Sequence, residues 1–361
     1  MINIKICVYA ICKNEEKNIL KWYESMKEAD DIYVLDTGST DNSVEILKSL
    51  KVHVKSKKII PFRFDNARNE SFKMIRKKYD LYVCTDIDER FNKGWRKKIE
   101  KYYDKSYTRV KYLYNWSFDE KGNPATTFYL DKIHTKDYVW THPVHEVLRP
   151  LKEEKILLIE GITLNHYQDK LKSRSNYLPL LKLSVKESPD DDRNLHYLAR
   201  EYMYHNQNMK AIKMFHRHLN CKNSVWKDER SASMRFMARC YQKVGYKDEA
   251  IFWFNKAINE SPYLREAYVE LASLYYNDKE YENALMLLNK AFLIKEKSKS
   301  YINEPFAWNG EIYDLYAVIL FYLNKKDIAL KYSNIAISLS SNERILNNNK
   351  IIKQVLHEEQ V

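Results

Sequence analysis

Two acidic motifs near the N-terminus each follow a short apolar run that is typical of a β-strand. The motif DTGSTD at Asp36–Asp41 follows the run 31–35, and the motif DID at Asp86–Asp88 follows the run 81–84. Acids at strand ends lie where open α/β sheets bind their ligands. Two carboxylates one residue apart need a counter-charge there, and a divalent cation that bridges a diphosphate supplies one. The two motifs therefore predict an α/β domain with a metal-dependent nucleotide site.

Each motif alone also has an ordinary structural interpretation. Gly38 can supply a positive φ in a turn, and Asp41 can cap a helix over 42–50. Acidic pairs such as Asp86 and Asp88 flank many surface turns. What favours the functional interpretation is that both motifs follow strands of one domain.

Strand and helix signals alternate through the first part of the chain. Apolar runs at 4–12, 31–35, 52–54 and 81–84 predict strands, with helices between them. This order predicts a parallel sheet with right-handed crossovers. A helix that opens after Phe64 is expected to end near Tyr79. The shorter strands predicted between 107 and 166 are interpreted as an antiparallel extension on the acceptor side.

Composition narrows the class of protein. The chain has 361 residues, of which 45% are hydrophobic, which is typical of folded domains and excludes wholesale disorder. The net charge of +12 accompanies no nucleic-acid-binding motif, so no nucleic-acid partner is expected. No run approaches the roughly 18 apolar residues of a membrane span. The five scattered cysteines fit reduced thiols, and a cytoplasmic protein is predicted.

The second half of the chain repeats. Four alanine pairs share a spacing of twelve residues: Ala199 and Ala211, Ala238 and Ala250, Ala272 and Ala284, Ala317 and Ala329. Seven residues beyond each pair stands a further alanine, at Ala257, Ala291 and Ala336, except that the first unit has His218. Small residues at fixed offsets let paired helices approach closely, and the pattern is typical of tetratricopeptide repeats. A generic helical bundle is the alternative.

With the repeats, a set of motifs resembles a known family. The motifs are AICKNEE at 10–16, DTGSTD at 36–41, DNARN at 65–69, DID at 86–88, VHE at 144–146 and LNHY at 164–167. The N-terminal half resembles a family 2 glycosyltransferase of the GT-A fold. Its combination with C-terminal repeats resembles the bacterial and phage group that includes the sublancin-type peptide S-glycosyltransferases. The implied domains are a GT-A domain at 1–170, a linker helix at 171–189 and tetratricopeptide-like repeats at 190–361.

The resemblance implies a set of donor-binding residues. The backbone of Ala10 and Cys12 and the carboxylate of Asp36 are expected to hold the nucleoside. Arg68 is expected to contact the base or the diphosphate. Asp65 is expected either to contact the ligand or only to be the N-cap of its helix.

The resemblance also implies a metal site and a catalytic base. Asp88 is expected to bind Mn²⁺ or Mg²⁺, with Asp86 contacting the ribose or the metal and His166 completing the site. Glu146 is expected to be the base, with His145 as the alternative. His142 followed by proline departs from the S-glycosyltransferase pattern, so a peptide cysteine is not assigned as the acceptor.

The sequence therefore predicts a metal-dependent inverting glycosyltransferase, specifically a hexosyl- or N-acetylhexosaminyltransferase. The donor is expected to be a nucleoside diphosphate sugar, specifically a UDP-sugar. The acceptor is expected to be a protein, peptide or glycan. The repeats are expected to offer a concave surface to the acceptor or to form a homodimer. Two alternatives are a catalytically weak tetratricopeptide interaction protein and a sugar nucleotidyltransferase.

Overall fold

The computed structural model describes residues 4–168 and 177–360. The chain forms two compact units, one from the residues up to Asp119 together with 127–184, the other from 120–126 and 185 onward. Of the predicted linker helix, residues 171–176 lie outside the described residues, and a helix occupies Tyr177–Glu187. The domain boundaries at 170 and 190 stay a prediction.

The first unit is a mixed α/β structure. Its strands are β1 Ile6–Cys12, β2 Asp31–Asp36, β3 His53–Ser56, β4 Leu81–Asp86, β5 Glu89–Phe91, β6 Arg109–Phe118, β7 Pro124–His134, β8 Tyr138–Thr141, β9 Val147–Pro150 and β10 Ile156–His166. Its helices are α1 Glu16–Met26, α2 Ser43–Ser49, α3 Phe64–Lys73, α4 Trp95–Tyr102 and α5 Tyr177–Glu187. Residues 124–126 of β7 and 185–187 of α5 belong to the second unit.

Eight of these strands form one sheet, in the order β3-β2-β1-β4-β7-β6-β10-β5, and β8 pairs with β9. Strand β1 runs parallel to β2 and β4, which confirms the predicted α/β fold. The predicted antiparallel extension is wrong in part. Strand β7 runs antiparallel to β4, and β5 runs antiparallel to β10. Strands β6 and β10, however, run parallel to each other. Helix α3 also ends at Lys73, earlier than predicted.

The side chains of β1 alternate between two apolar layers, as the two-residue period of a strand requires. Ile6 and Val8 pack in the same core as Trp22 of α1. Cys7 and Tyr9 lie in a second cluster, against which Phe72 of α3 packs. Both faces of the central strand are thus covered, and α3 is held on the face opposite α1.

The second unit is helical. Its helices are α6 Asp192–Tyr204, α7 Asn208–Asn220, α8 Lys227–Lys243, α9 Lys247–Glu260, α10 Glu266–Asn277, α11 Tyr281–Leu293, α12 Gly310–Tyr322, α13 Lys326–Leu339 and α14 Glu343–Gln360, with a short 3₁₀ helix at Pro305–Ala307. Among the described residues of the whole chain, no helix is long and apolar enough to cross a membrane.

The twelve-residue alanine spacing corresponds to four consecutive helix pairs, α6 with α7 through α12 with α13. All eight alanines are fully buried. The alanines at 257, 291 and 336 are buried as well, and so is His218 at the same position of the first pair. The predicted tetratricopeptide-like architecture is therefore confirmed.

The segment 295–308, which lengthens the third repeat, packs on the first helices of three pairs. The ring of Tyr301 stacks on Tyr197 of α6, with 6.1 Å between ring centroids. Glu304 accepts a hydrogen bond of 2.6 Å from Arg239 Nη2 on α8. Trp308 Nε1 donates to Glu266 Oε1 on α10 at 3.1 Å. The segment therefore covers part of the face that these helices share.

We predict that Gly310→Ala destabilises the chain. A Cβ at Gly310, the first residue of α12, would lie 2.6 Å from the backbone oxygen of Ala336 and 2.8 Å from Ser340 Cβ. The expected loss is about 1–3 kcal/mol from overpacking, although glycine to alanine changes in an unstrained helix usually stabilise. Urea unfolding measures this loss. The neighbouring Glu311→Ala is the control, and an unchanged midpoint for Gly310→Ala would contradict the prediction.

Candidate functional site

The two acidic motifs meet at one edge of the sheet. Asp36 ends β2 and Asp86 ends β4, and both strands flank β1. In the strand register, Cys12 of β1 is opposite Asp36, and Ile11 is opposite Asp86. The two acids are thus separated by the end of a single strand, as the sequence predicts.

The Asp36 carboxylate organises the loop that follows β2. It accepts hydrogen bonds from the amides of Gly38, at 3.2 Å, and Ser39, at 3.0 Å. Gly38 has a φ of +115°, which favours glycine. An open cleft at this loop is lined by Asp36, Lys57 and Lys58, among other residues. The lining also includes the acids Asp41 and Glu45, so the cleft carries charges of both signs, with the two lysines as its cations.

The two β1 residues predicted to contact the donor differ in position. The carbonyl oxygen of Cys12 accepts hydrogen bonds from Thr37 N and Thr37 Oγ1, at 2.9 and 3.1 Å. Ala10 lies inside the sheet, opposite Val34 of β2 and Thr85 of β4, and is fully buried. The structure therefore brings the backbone of Cys12, rather than that of Ala10, next to the Asp36 loop.

Arg68 of α3 joins two of the predicted acids. Its side chain is buried, and Nη2 donates to Asp86 Oδ1 at 2.8 Å. Its Nε donates to Glu146 in a short ion pair. The guanidinium also lies over the ring of Trp140, 5.2 Å from the centroid. Burial alone would lower the pKa of Arg68, but the facing Asp86 and Glu146 raise it, so the guanidinium stays charged.

A second protein cation also faces Asp86. Lys132 Nζ of β7 is 3.3 Å from Asp86 Oδ2 and 3.6 Å from Glu89 Oε1. Burial would raise the pKa of Asp86, but Arg68 and Lys132 hold it below its ordinary value. Neither Lys132 nor Glu89 is among the site residues predicted from the sequence, although three acids within four residues signal a need for nearby cations.

Glu89 is almost fully buried and connects three strands. Its Oε2 accepts from the amide of Asp86 at 2.9 Å, and its Oε1 accepts from Tyr114 OH at 2.8 Å. Burial raises the pKa of Glu89. The carboxylate thereby holds the turn after β4 against β6, which sets the position of the adjacent Asp88.

Asp88 and His166 form a pair with the chemistry of a metal site. His166 Nε2 lies 3.6 Å from Asp88 Oδ2. His166 Nδ1 donates to the carbonyl oxygen of Trp116 at 3.1 Å, and the two rings stack. In the neutral ring this contact leaves the lone pair on Nε2, the arrangement found in metal-binding histidines, whereas in the protonated ring Nε2 donates to Asp88. Burial would lower the pKa of His166, but the hydrogen bond to Asp88 raises it. The carboxylate oxygen of Asp88 and the Nε2 nitrogen of His166 thus fit Mn²⁺ or Mg²⁺ as ligands. Both carboxylate oxygens of Asp86, by contrast, already face protein cations.

Asp65 is not the N-cap of α3, contrary to one of the two predicted roles. The N-cap is Arg63, and Asp65 is the second residue of the helix. The Asp65 carboxylate pairs with the Arg63 guanidinium at 3.0 and 2.8 Å and accepts from the amide of Asn66 at 2.8 Å. Its burial and these contacts make Asp65 an anchor for the start of the helix.

The segment 142–146 brings Glu146 to Arg68. Two residues of this segment have positive φ, +76° at His142 and +52° at His145. The ring of His145 stacks on Tyr177, with 5.7 Å between centroids. The amide of Phe64 donates to the carbonyl oxygen of Pro143 at 2.9 Å, which fixes the segment at the start of α3. The structure thus links Asp86, Arg68 and Glu146 in one chain of ion pairs.

Two protein-family models match parts of the chain. Residues 7–147 match the model of glycosyl transferase family 2. The first unit is thus similar to family 2 glycosyl transferases over most of its length. Glycosyltransferase activity in general is supported by that match, and the family uses nucleotide-sugar donors. Residues 162–338 match the model of the ChAPs, the Chs5p-Arf1p-binding proteins.

Several solved structures are similar to part of the chain at low identity. A structure of MamA is 19% identical, with a TM-score of 0.37, and covers 48% of this chain and 95% of its own. The first TPR domain of human RPAP3 is 22% identical, with a TM-score of 0.32, and covers 37% of this chain and 97% of its own. YrrB, a TPR protein with an unusual peptide-binding site, is 14% identical, with a TM-score of 0.38, and covers 49% of this chain and 84% of its own. No curated protein matches the chain significantly.

We predict that Lys132→Met lowers the stability of the first unit. The side chain is only 18% exposed, and its removal leaves Glu89 without its cation and Asp86 with one cation instead of two. The expected loss is about 3 kcal/mol, the lower end of the range for breaking a buried ion pair. Chemical denaturation at neutral pH measures this loss. The exposed Lys136→Met is the matched control, and equal stability of the two variants would contradict the role given to Lys132.

Proposed function

We propose that this protein is an inverting, metal-dependent glycosyltransferase that moves one sugar from a UDP-sugar to a protein, peptide or glycan. The observation that carries the proposal is the pair of Asp88 and His166 beside the ion-pair chain from Asp86 through Arg68 to Glu146. Metal ligands and a carboxylate base are the two kinds of group that such a transfer needs. The transferred sugar is proposed to be a hexose or an N-acetylhexosamine.

Asp88 and His166 would hold Mn²⁺ or Mg²⁺, which would offset the charge that develops on the leaving diphosphate. The loop after Asp36 and the adjacent Lys57 and Lys58 would bind the nucleotide. Arg68 keeps Asp86 in place at the end of β4. Glu146 accepts the proton of the attacking hydroxyl or thiol as the new glycosidic bond forms and the bond to the diphosphate breaks.

Three further proposals concern partners and location. The resemblance to sublancin-type enzymes makes a peptide thiol one acceptor to be tested. The helical repeats are proposed to bind a protein partner or a second copy of the chain. A cytoplasmic location is proposed because all five cysteines are free thiols and four of them are buried.

The direct test is donor hydrolysis, since it requires no knowledge of the acceptor. The full chain is incubated with UDP- and GDP-linked hexoses and N-acetylhexosamines, with Mn²⁺, Mg²⁺ or a chelator, and the released nucleotide is measured. We expect slow release of UDP that depends on the metal. Release from no donor, together with no increase in melting temperature with UDP and Mn²⁺, would refute the proposal.

We predict that Asp88→Ala abolishes metal-dependent turnover while the protein stays folded. Loss of a metal ligand removes several kcal/mol of stabilisation from the leaving diphosphate, which corresponds to a rate loss of about 10³-fold or more. Donor hydrolysis measures the rate, and the melting temperature checks the fold. Asp104→Ala, which changes an exposed acid of the same unit, is the control. Full activity of Asp88→Ala with an unchanged metal requirement would place the cation elsewhere.

We predict that Glu146→Gln lowers kcat by about 10²–10⁴-fold, the usual contribution of a general base. The glutamine keeps the size of the side chain and can still accept a hydrogen bond from Arg68. The increase in melting temperature with UDP and Mn²⁺ should therefore match that of the unmodified chain. If Glu146 only positions Arg68, then kcat changes little, because the glutamine still accepts the hydrogen bond from Arg68. In that case His145→Gln is the variant expected to lose kcat.

A further inference from the structure

Three helices of the second unit bring together two histidines and a glutamate. His196 lies on α6, His218 on α7 and Glu229 on α8, and their exposed fractions are 0%, 0% and 4%. One ring nitrogen of each histidine and one oxygen of Glu229 all lie within 4.8 Å of one another. We call these three residues the His-His-Glu cluster. It is far from the glycosyltransferase motifs in sequence and shares none of their residues.

The sequence already marks His218 as unusual. The equivalent position of the other three repeats is a buried alanine, at 257, 291 and 336. A small residue there lets the two helices of a pair approach, so packing alone gives no reason for an imidazole. A buried polar ring is costly unless its nitrogens have partners. Yet His196 Nε2 and His218 Nδ1 have no hydrogen-bond partner among the described residues.

One distance within the cluster already matches the spacing of two ligands on a metal ion. His218 Nε2 and Glu229 Oε1 are 3.4 Å apart. Two ligands of one tetrahedral zinc ion are separated by roughly 3.3 Å, given metal–ligand bonds of about 2.0–2.1 Å. Ser224 Oγ lies 3.0 Å from the same His218 nitrogen and can act as a fourth ligand or hold a bound water.

Two neighbours orient the ligands. His196 Nδ1 is 2.7 Å from Ser233 Oγ, and when Nδ1 donates this hydrogen bond, Nε2 carries the lone pair that a metal requires. The hydroxyl of Tyr301 donates to Glu229 Oε2, so Oε1 remains directed at His218. Such outer hydrogen bonds are typical of metal-binding histidines and carboxylates.

We propose that the His-His-Glu cluster binds one Zn²⁺ ion that joins α6, α7 and α8. Imidazole and carboxylate ligands suit zinc, and a site closed to solvent is typical of a structural ion. The ion would give His196 Nε2 the partner it lacks. It would also stabilise the first repeat against the second, where the alanine pattern is interrupted.

The test uses the full chain, stripped with a chelator and then exposed to ZnCl₂. We expect one zinc per chain to survive gel filtration, measured by elemental analysis, and to raise the melting temperature. His218→Ala, which restores the alanine of the other repeats, should lose this ion and the increase in melting temperature. His205→Ala, which changes an exposed histidine of the same unit, should keep both. Asp88→Ala should also keep them, which separates this ion from the donor-site cation.

Two further measurements keep the test decisive if His218→Ala does not fold. Co²⁺ added to the stripped chain should give the visible absorption bands of a tetrahedral site, and Glu229→Gln should remove them. Ser233→Ala should weaken zinc binding by about tenfold, as for other outer hydrogen bonds to metal ligands. The proposal is wrong if the unmodified chain retains no zinc and shows no cobalt bands. It is also wrong if Glu229→Gln binds both metals as well as the unmodified chain does.

Discussion

The candidate glycosyltransferase site depends on the buried guanidinium of Arg68. Its ion pairs connect helix α3, the end of β4 at Asp86 and the segment that carries Glu146. Removing a guanidinium from water is costly, and the cost is offset only when its donors find acceptors in fixed positions. Arg68 has such acceptors because Phe72, one turn later on the same helix, packs on the face of the sheet formed by Tyr9 and Tyr82. Apolar packing of α3 therefore positions the charges of the site.

The two aspartates of the DID motif, Asp86 and Asp88, have partners of different kinds. Asp86 faces Arg68 and Lys132, whereas Asp88 faces His166. Because protein cations already balance Asp86, an added metal ion is not needed for it to be stable at the strand end. The ligands that remain directed at a cation are those of Asp88 and His166. The two aspartates of the DID motif thus differ in role: Asp86 forms ion pairs within the protein, and Asp88 is the candidate metal ligand.

In the helical unit, the chain itself occupies part of the surface that the repeat pattern would leave for a partner. The segment 295–308 contacts the first helices of three pairs through Tyr301, Glu304 and Trp308. These contacts include buried charge: Arg235 donates to Glu270 at 3.1 Å and also pairs with Glu304. Separating such a buried network leaves charges without partners, which is strongly unfavourable. The exposed surfaces of the other helices are therefore easier for a partner to reach than the face under this segment.

Features set by neighbouring residues could be predicted from the sequence, and features set by distant ones could not. The strand ends at Asp36 and Asp86, the alanine spacing and the strand 156–166 follow from local periodicity, and the structure has them. Lys132 could not be predicted as a partner of Asp86, because it lies on a strand more than forty residues later in the chain. The order of strands in the sheet, not the distance in sequence, determines which cation lies next to Asp86. The parallel pairing of β6 with β10 was missed for the same reason, since a strand has the same two-residue period in either direction. With Asp65 as the N-cap, helix α3 would begin at residue 66, but it begins two residues earlier, where the amide of Phe64 donates to the carbonyl oxygen of Pro143, almost eighty residues away in the chain. Local patterns thus identify which side chains can do chemistry, while long-range pairing determines which of them meet.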